Sequence, residues 1–257
     1  MDMSEAPIKI SIVTTAYNSA ETIEDTLRSV ADQSYKNIEH IVIDGASMDD
    51  TMTIANRFPH ISKKVSEPDS GIYNAMNKGF KLATGDYIGV LNSDDYLTHN
   101  EVIAEVVSKI EETATDAVIG DIKVVDRQNV SKVVRYASSK NFKKAHLAKG
   151  IMPPHATYYA KRSVYDTWGY FKEDYKICAD YELVTRHMVQ GDIDIEYVDT
   201  CFVTMRAGGV SNGSLKKIIE RNKEIMRAIR ENNLDTNIFK FLSKFFPRML
   251  EFINPRP

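Results

Sequence analysis

The stretch TGDYIGVLNSDD (residues 84–95) decides how the chain is read. Its centre, Tyr87 to Leu91, is apolar and uncharged, the pattern of a short strand buried on both faces. The strand stops at Asn92-Ser93-Asp94-Asp95, so two adjacent carboxylates crown its end. In an open α/β sheet, ligands bind beyond the carboxyl ends of the strands. Like charges side by side are costly unless a cation or a donor satisfies them. A hard divalent cation takes carboxylate and phosphate oxygens together. One cation could therefore join Asp95 to a diphosphate. The competing reading is a solvated turn with helix-capping aspartates.

The flanking sequence supplies a sheet for that strand. IKISIVTTA (8–16) is β-branched and almost uncharged, a buried first strand. A helix should follow, capped by Ser19, with Ile23, Leu27 and Val30 on its apolar face. Ile38 to Asp44 reads as a second strand, ending in Asp-Gly. A short helix spans about 50–57. Another spans about 70–83, with Ile72, Ala75, Met76, Gly79 and Phe80 as its apolar stripe. This alternation predicts an α/β fold: a mostly parallel, doubly wound sheet with helices on both faces. Past residue 115 the rhythm changes. Asp116–Asp121 and Val130–Tyr136 read as strands able to pair, a helix begins near Asp180, and 194–206 adds further strand. The expected organisation is one catalytic domain over 8–210, with halves 8–98 and 99–210, and a helical extension over 214–257.

Bulk composition is that of a folded domain: 257 residues, 43% hydrophobic, 27% charged. A net charge of -3 argues against nucleic acid as a partner. Cys178 and Cys201 make neither a disulfide framework nor a zinc site and read as buried small hydrophobes. Residues 1–7 do not read as a signal peptide, and no apolar run reaches the roughly 20 residues that span a bilayer. A cytoplasmic location is expected, with a peripheral position on the inner face of the plasma membrane as its extension.

Five segments in one order carry a resemblance: SIVTTAYN (11–18), SVADQSY (29–35), HIVIDGASMDDT (40–51), SEPDSGIYNAMNKG (66–79) and TGDYIGVLNSDD (84–95). Together they resemble the family-2 glycosyltransferases, which have the GT-A fold. The resemblance weakens from about 100 to 205 and lapses in the tail. It implies inverting transfer of a sugar from a nucleotide-diphosphate donor, uridine by default, to a hydroxyl of a glycan or lipid-linked acceptor in polysaccharide biosynthesis. Thr15, Ala16 and Tyr17 would line the base pocket. Asp44 would bond the base or ribose. Asp94 would lie near ribose and metal, and Asp95 would hold the cation, Mn2+ or Mg2+. Asp180, in ADYE (179–182), falls where the family carries its base. Three positions depart from the pattern. Gly45 stands where many relatives have a second aspartate, and Asn74 where close relatives often have one. Asn92 replaces the first carboxylate of the Asp-x-Asp signature, though its amide still offers an oxygen.

The chemistry fits these residue types. A departing diphosphate gathers negative charge, which a cation neutralises. Helix N-termini and Lys78 could assist, although Lys78 reads equally as a solvated helix lysine. The acceptor hydroxyl needs a positioned carboxylate to take its proton. Asp180 serves for this, with Glu182 in reserve; read alone, Asp180 is as fit for a helix cap. Tyr73 and Asn77 would line the donor side of their helix, with Asp69 in the loop before it. His155, in MPPHAT (152–157), either touches the diphosphate or metal or is structural in a Pro-Pro turn.

Residues 215–232 form an amphipathic helix by pattern. The aromatic, lysine-bearing segment 237–253 is expected to dock on an anionic membrane surface, to pack on the domain, or to join a second subunit in a homodimer. A catalytically weak sugar-nucleotide binding subunit of a larger synthase is the alternative function. A nucleotidyltransferase would need a glycine-rich, lysine-bearing loop where Tyr17-Asn18-Ser19-Ala20 stands. A dinucleotide oxidoreductase would need Gly-x-Gly-x-x-Gly there.

Overall fold

The structure is a computed structural model and describes residues 6–208, 215–236 and 241. The first strand, β1 (Ile10–Ala16), is buried along its whole length. It lies between β2 (Ile38–Asp44) and β4 (Tyr87–Val90), parallel to both, and β3 (Ile61–Ser66) extends the sheet beyond β2. Three carboxyl ends, those of β1, β2 and β4, therefore open on one side.

Beyond β4 the direction alternates. β8 (Tyr159–Lys161) runs antiparallel to both β4 and β6 (Ala117–Val125), so β6 is parallel to β4 again. The long β9 (Ile195–Arg206) pairs with β6, and the two-residue β5 (Tyr96–Leu97) pairs with β9. β7 (Val133–Ala137) forms a hairpin partner for β6. The path reads β3-β2-β1-β4-β8-β6-β9-β5 in a nine-stranded sheet. It is doubly wound and parallel in its first half, and mixed in its second, where the short β5, β7 and β8 run antiparallel to their neighbours.

Helices cover both faces. On one face α3 (Ile72–Leu82), α6 (Ala179–Val189) and α7 (Leu215–Glu231) enclose a core with Val13, Ile41, Ile43, Ile88 and Val90. On the other, α1 (Ile23–Ala31) and α4 (Val102–Thr113) pack against Ile10, Ile12, Tyr87 and Val118. Alternate strand residues thus point to opposite cores, as a sheet buried on both faces requires. α2 (Thr51–Ala55) and α5 (Arg162–Trp168) complete the helices of the described residues. α3 sits close because Gly79 has no side chain: a Cβ there would lie 2.3 Å from a Val13 methyl.

Two expectations change. Ser19 does not cap α1, which starts at Ile23 with Thr22 as its N-cap and no side-chain capping bond. The Ser19 hydroxyl instead meets that of Ser93 at 2.8 Å, and only its carbonyl serves the helix, accepting from Ile23 N–H. The aromatic segment 237–253 lies outside the described residues except for Phe241, which is 5% exposed and packs in the α6–α7 core. No helix among the described residues is long and apolar enough to cross a membrane.

Candidate active site

The donor side is built from strand tips. Thr15 and Ala16, the last residues of β1, are buried, while Tyr17 turns out at 66% exposure. Asn18 and Ala46 adopt left-handed conformations, with φ of 47° and 59°. Asparagine tolerates this; for alanine it costs about 1–2 kcal/mol. The two loops hold each other: Asn18 N–H donates to the Ser47 hydroxyl at 2.8 Å, and Met48 N–H to Asn18 Oδ1 at 3.0 Å. Asp44 is fully buried and accepts from Ser47 N–H at 3.0 Å and from the Ser66 hydroxyl at 2.6 Å. Its carboxylate braces both loop starts.

Gly45, Tyr17 and Asp69 converge. A Cβ on Gly45 would lie 2.5 Å from the Asp69 carboxylate and 3.3 Å from the Tyr17 ring. The Asp69 carboxylate, held by Gly71 N–H at 2.8 Å, thus fills the space that a side chain at 45 would need.

The acidic turn is pinned from behind. Thr26 of α1 donates its hydroxyl to the Asp95 carbonyl at 2.6 Å. Arg206, at the end of β9, donates to the Asp94 carbonyl at 2.7 Å, pairs with Asp25 and lies 5.2 Å from the Tyr96 ring centre. The Asp95 side chain is nearly fully buried, with a long contact from Asn92 Nδ2 at 3.4 Å and the Arg206 backbone N–H and charge also favouring its anion. Burial, and after it the Asp94 charge, push the Asp95 carboxyl up to about 8. Asn92 Oδ1 is buried with no hydrogen-bond partner. An orphaned carbonyl oxygen beside a buried carboxyl is an oxygen donor set that suits a hard cation.

The expected metal trio does not assemble. Among the described residues no three His, Cys, Asp or Glu side chains gather. His155 stands instead against Asp180, Nδ1 to Oδ2 at 3.4 Å, each about a fifth to a quarter exposed. The pair borders an apolar pocket with Phe80, Val90, Tyr158 and Phe171. Burial raises the Asp180 carboxyl above the usual carboxylate range, His155 opposes that shift, and Tyr181 N–H donates to Oδ1 at 2.8 Å. Glu182 is unsuited as a reserve base. It is fully buried in ion pairs with Arg186 at 2.9 Å and Lys172 at 2.8 Å.

Three expected donor-side residues of α3 already have protein partners. The Tyr73 hydroxyl donates to the Ile177 carbonyl at 2.7 Å. Asn77 is buried, donates to the Phe171 carbonyl and to Glu173 at 2.9 Å each, and accepts from Phe171 N–H at 2.9 Å. Lys78 pairs with Glu67 at 2.7 Å. Tyr73 and Asn77 thus tie α3 to the segment before Asp180, and Lys78 ties α3 to its own loop. Asn74 joins them through Glu173 at 2.9 Å. Sequence reading missed Thr26 and Arg206. Neither has a local signal, because each acts on backbone 66 or more residues away.

Known proteins resemble this chain in sequence or in fold. A PGL/p-HBAD biosynthesis glycosyltransferase of Mycobacterium bovis is 28% identical over 213 residues, 80% of each chain. The fold matches that of S. aureus TarS 1–349 in complex with UDP-GlcNAc, with a TM-score of 0.72 and 21% identity over 95% of this chain and 75% of that one. It also matches the mannosyltransferase PcManGT from Pyrobaculum calidifontis in complex with GDP-Man and Mn2+, with a TM-score of 0.65 and 19% identity over 90% and 66%. The glycosyl transferase family 2 profile matches residues 11–168, more than half of a chain whose β-strand tips gather the residues described above, and the protein belongs to that family of sugar-transferring enzymes.

Proposed function

We propose that this enzyme transfers a sugar from a nucleotide-diphosphate donor to an acceptor hydroxyl with inversion at the anomeric carbon. The observation that carries this reading is the pairing of two carboxyls in contrasting settings. Asp95 lies buried beside an orphaned amide oxygen at the tip of β4, and Asp180 opens α6 against His155. Thr15, Ala16, Tyr17, Asp44 and Asp69 frame the nucleotide side. The fold neighbours titled with UDP-GlcNAc and GDP-Man support a nucleotide-sugar donor, with uridine the first base to test.

The donor set Asp94, Asp95 and Asn92 Oδ1 fits Mn2+ or Mg2+, and the Mn2+ complex of a fold neighbour supports it. A cation bound there would offset the charge that builds on the departing diphosphate. Arg206 and Thr26 hold the turn's backbone rigid, so its carboxylates stay aimed without side-chain help. On the acceptor side, Asp180 takes the hydroxyl proton as the oxygen attacks. Its partial burial keeps the carboxyl basic enough for that task, and His155 fixes Oδ2. Direct attack opposite the leaving group inverts the centre. The acceptor is a glycan or lipid-linked glycan, and segment 237–253 docks the enzyme on an anionic membrane surface from the cytoplasmic side.

Asp180→Asn tests the central step. Donor affinity by calorimetry should stay at the wild-type value while kcat falls by about 10²–10⁴-fold, the range of a lost general base. Near-normal turnover would remove Asp180 from the reaction.

A further inference from the structure

Three consecutive backbone amides end on one carboxylate. Lys176 N–H donates to Glu224 Oε1 at 2.9 Å, and Ile177 and Cys178 N–H donate to Oε2 at 2.9 Å each. These residues lead directly into α6, whose second residue is Asp180. Nothing on α6 does this work locally: its N-cap is Cys178, which makes no side-chain capping bond. The anchoring group comes instead from α7, 46 residues further along the chain. A charged acceptor for several amides is among the stronger restraints a backbone can have.

We propose that Glu224 is a positioning residue for the reaction. By locking residues 176–178 it fixes where the Asp180 carboxylate stands, and this makes α7 part of the working apparatus although the family match ends at residue 168. The inference rests on the reading of Asp180 as base.

The Cys178 thiol also donates to the Arg221 carbonyl of α7 at 3.6 Å, while the other side-chain contacts of α7 with this segment act at its far end. Glu231 pairs with Lys172 at 2.8 Å and accepts from the Tyr175 hydroxyl at 3.1 Å. Arg227 pairs with Asp174 and lies 4.2 Å from the Tyr175 ring centre. These fasten the helix to the domain. Glu224 holds the residues adjoining the base with a charged side chain, and its three bonds go to backbone, so they fix chain position rather than one rotamer.

The test compares Glu224→Gln, Glu224→Ala and Glu231→Gln with wild type and Asp180→Asn. A base displaced by about 1 Å costs roughly 10²-fold, so Glu224→Ala should lower kcat about 100-fold and the near-isosteric Glu224→Gln about 10-fold. Donor KM should stay within about twofold in both, because donor binding precedes the affected step. Glu231→Gln should lower the melting temperature yet leave kcat within about twofold. Should Glu224→Ala fail to fold, Glu224→Gln decides. Wild-type kcat in the Glu224 variants overturns the proposal. So does an equal loss of kcat in Glu231→Gln, which would mean that α7 merely anchors. Near-normal turnover in Asp180→Asn sinks the base reading itself, whereas an inactive Asp180→Asn beside fully active Glu224 variants sinks only the role of Glu224.

Discussion

The donor side and the base-bearing side of this site are assembled in different ways. On the donor side Asp44 and Asp69 are braced by neighbours close in sequence, whereas the acidic turn after β4 is reached by Thr26 and Arg206 from 69 and 112 residues away. Ser47 bonds Asp44 three residues away, and Gly71 bonds Asp69 two residues away. On the other side, Asp180 stands where it does because of partners far along the chain. Tyr73 reaches Ile177 across 104 residues, Asn77 reaches Phe171 across 94, and Glu224 reaches Ile177 across 47. Local bracing tolerates loss of any one bond, since the turn's own backbone limits the excursion. Long-range bracing has no such fallback. The difference teaches that the nucleotide loops should tolerate damage better than either carboxyl centre, and that Asp95 and Asp180, with different chemistry to perform, should lose different steps.

The sharpest break in that comparison uses Asp95 against Asp180. Asp95→Asn should abolish most turnover and remove the cation-dependent part of donor binding. In wild type, donor with Mn2+ at about 100 times its Kd should stabilise the fold by roughly 2.7 kcal/mol, and chelation should reverse that. A thermal-shift series with and without chelator checks it. Asp180→Asn should keep the full shift. Equal shifts in Asp95→Asn and wild type would refute the cation site.

Asn77→Ala probes the link between the sides. It leaves the buried Phe171 carbonyl and N–H without partners, so chemical denaturation should show a loss of about 1–3 kcal/mol. Turnover should drop with it while donor affinity holds. A loss of donor affinity instead would return Asn77 to the donor pocket.

The smallest effect concerns acid. Each side buries a neutral histidine. His40 bonds the Thr14 hydroxyl at 2.9 Å, and burial lowers its pKa to about 3. His187 bonds Tyr158 and the Gly169 carbonyl, and burial lowers its pKa to about 4. Both bind protons more readily when unfolded, so their contribution to stability should fall as pH drops below the ordinary histidine value of about 6.5, opposed by Asp95 and Asp180, whose raised carboxyl values add stability on acidification. The slope approaches about 1.4 kcal/mol per pH unit for each histidine until its folded pKa is reached. Denaturant unfolding between pH 7 and 4 measures this, and His187→Gln should make the slope shallower by one histidine. An unchanged slope would mean that His187 is charged in the folded state.

The same contrast explains what could be read from sequence. The first parallel strands and the acidic turn were legible because buried strands are continuous apolar runs and their tips carry contiguous motifs. α3 was legible as a helix with a buried stripe, but periodicity cannot say what meets the remaining polar face. Tyr73 and Asn77 therefore read as donor contacts, although residues 171–177 occupy them. β3, mixed in polarity, and the two-residue β5 carry too little pattern to register. Arg206 and Glu224 act on backbone carbonyls and amides, which leave no trace in residue identity.

The crowding at Gly45 has a consequence for substitution. A side chain at 45 would begin 2.5 Å from the Asp69 carboxylate, so it fits only where that carboxylate swings away from Gly71 N–H. What residue 45 is free to carry thus depends on how residue 69 is held.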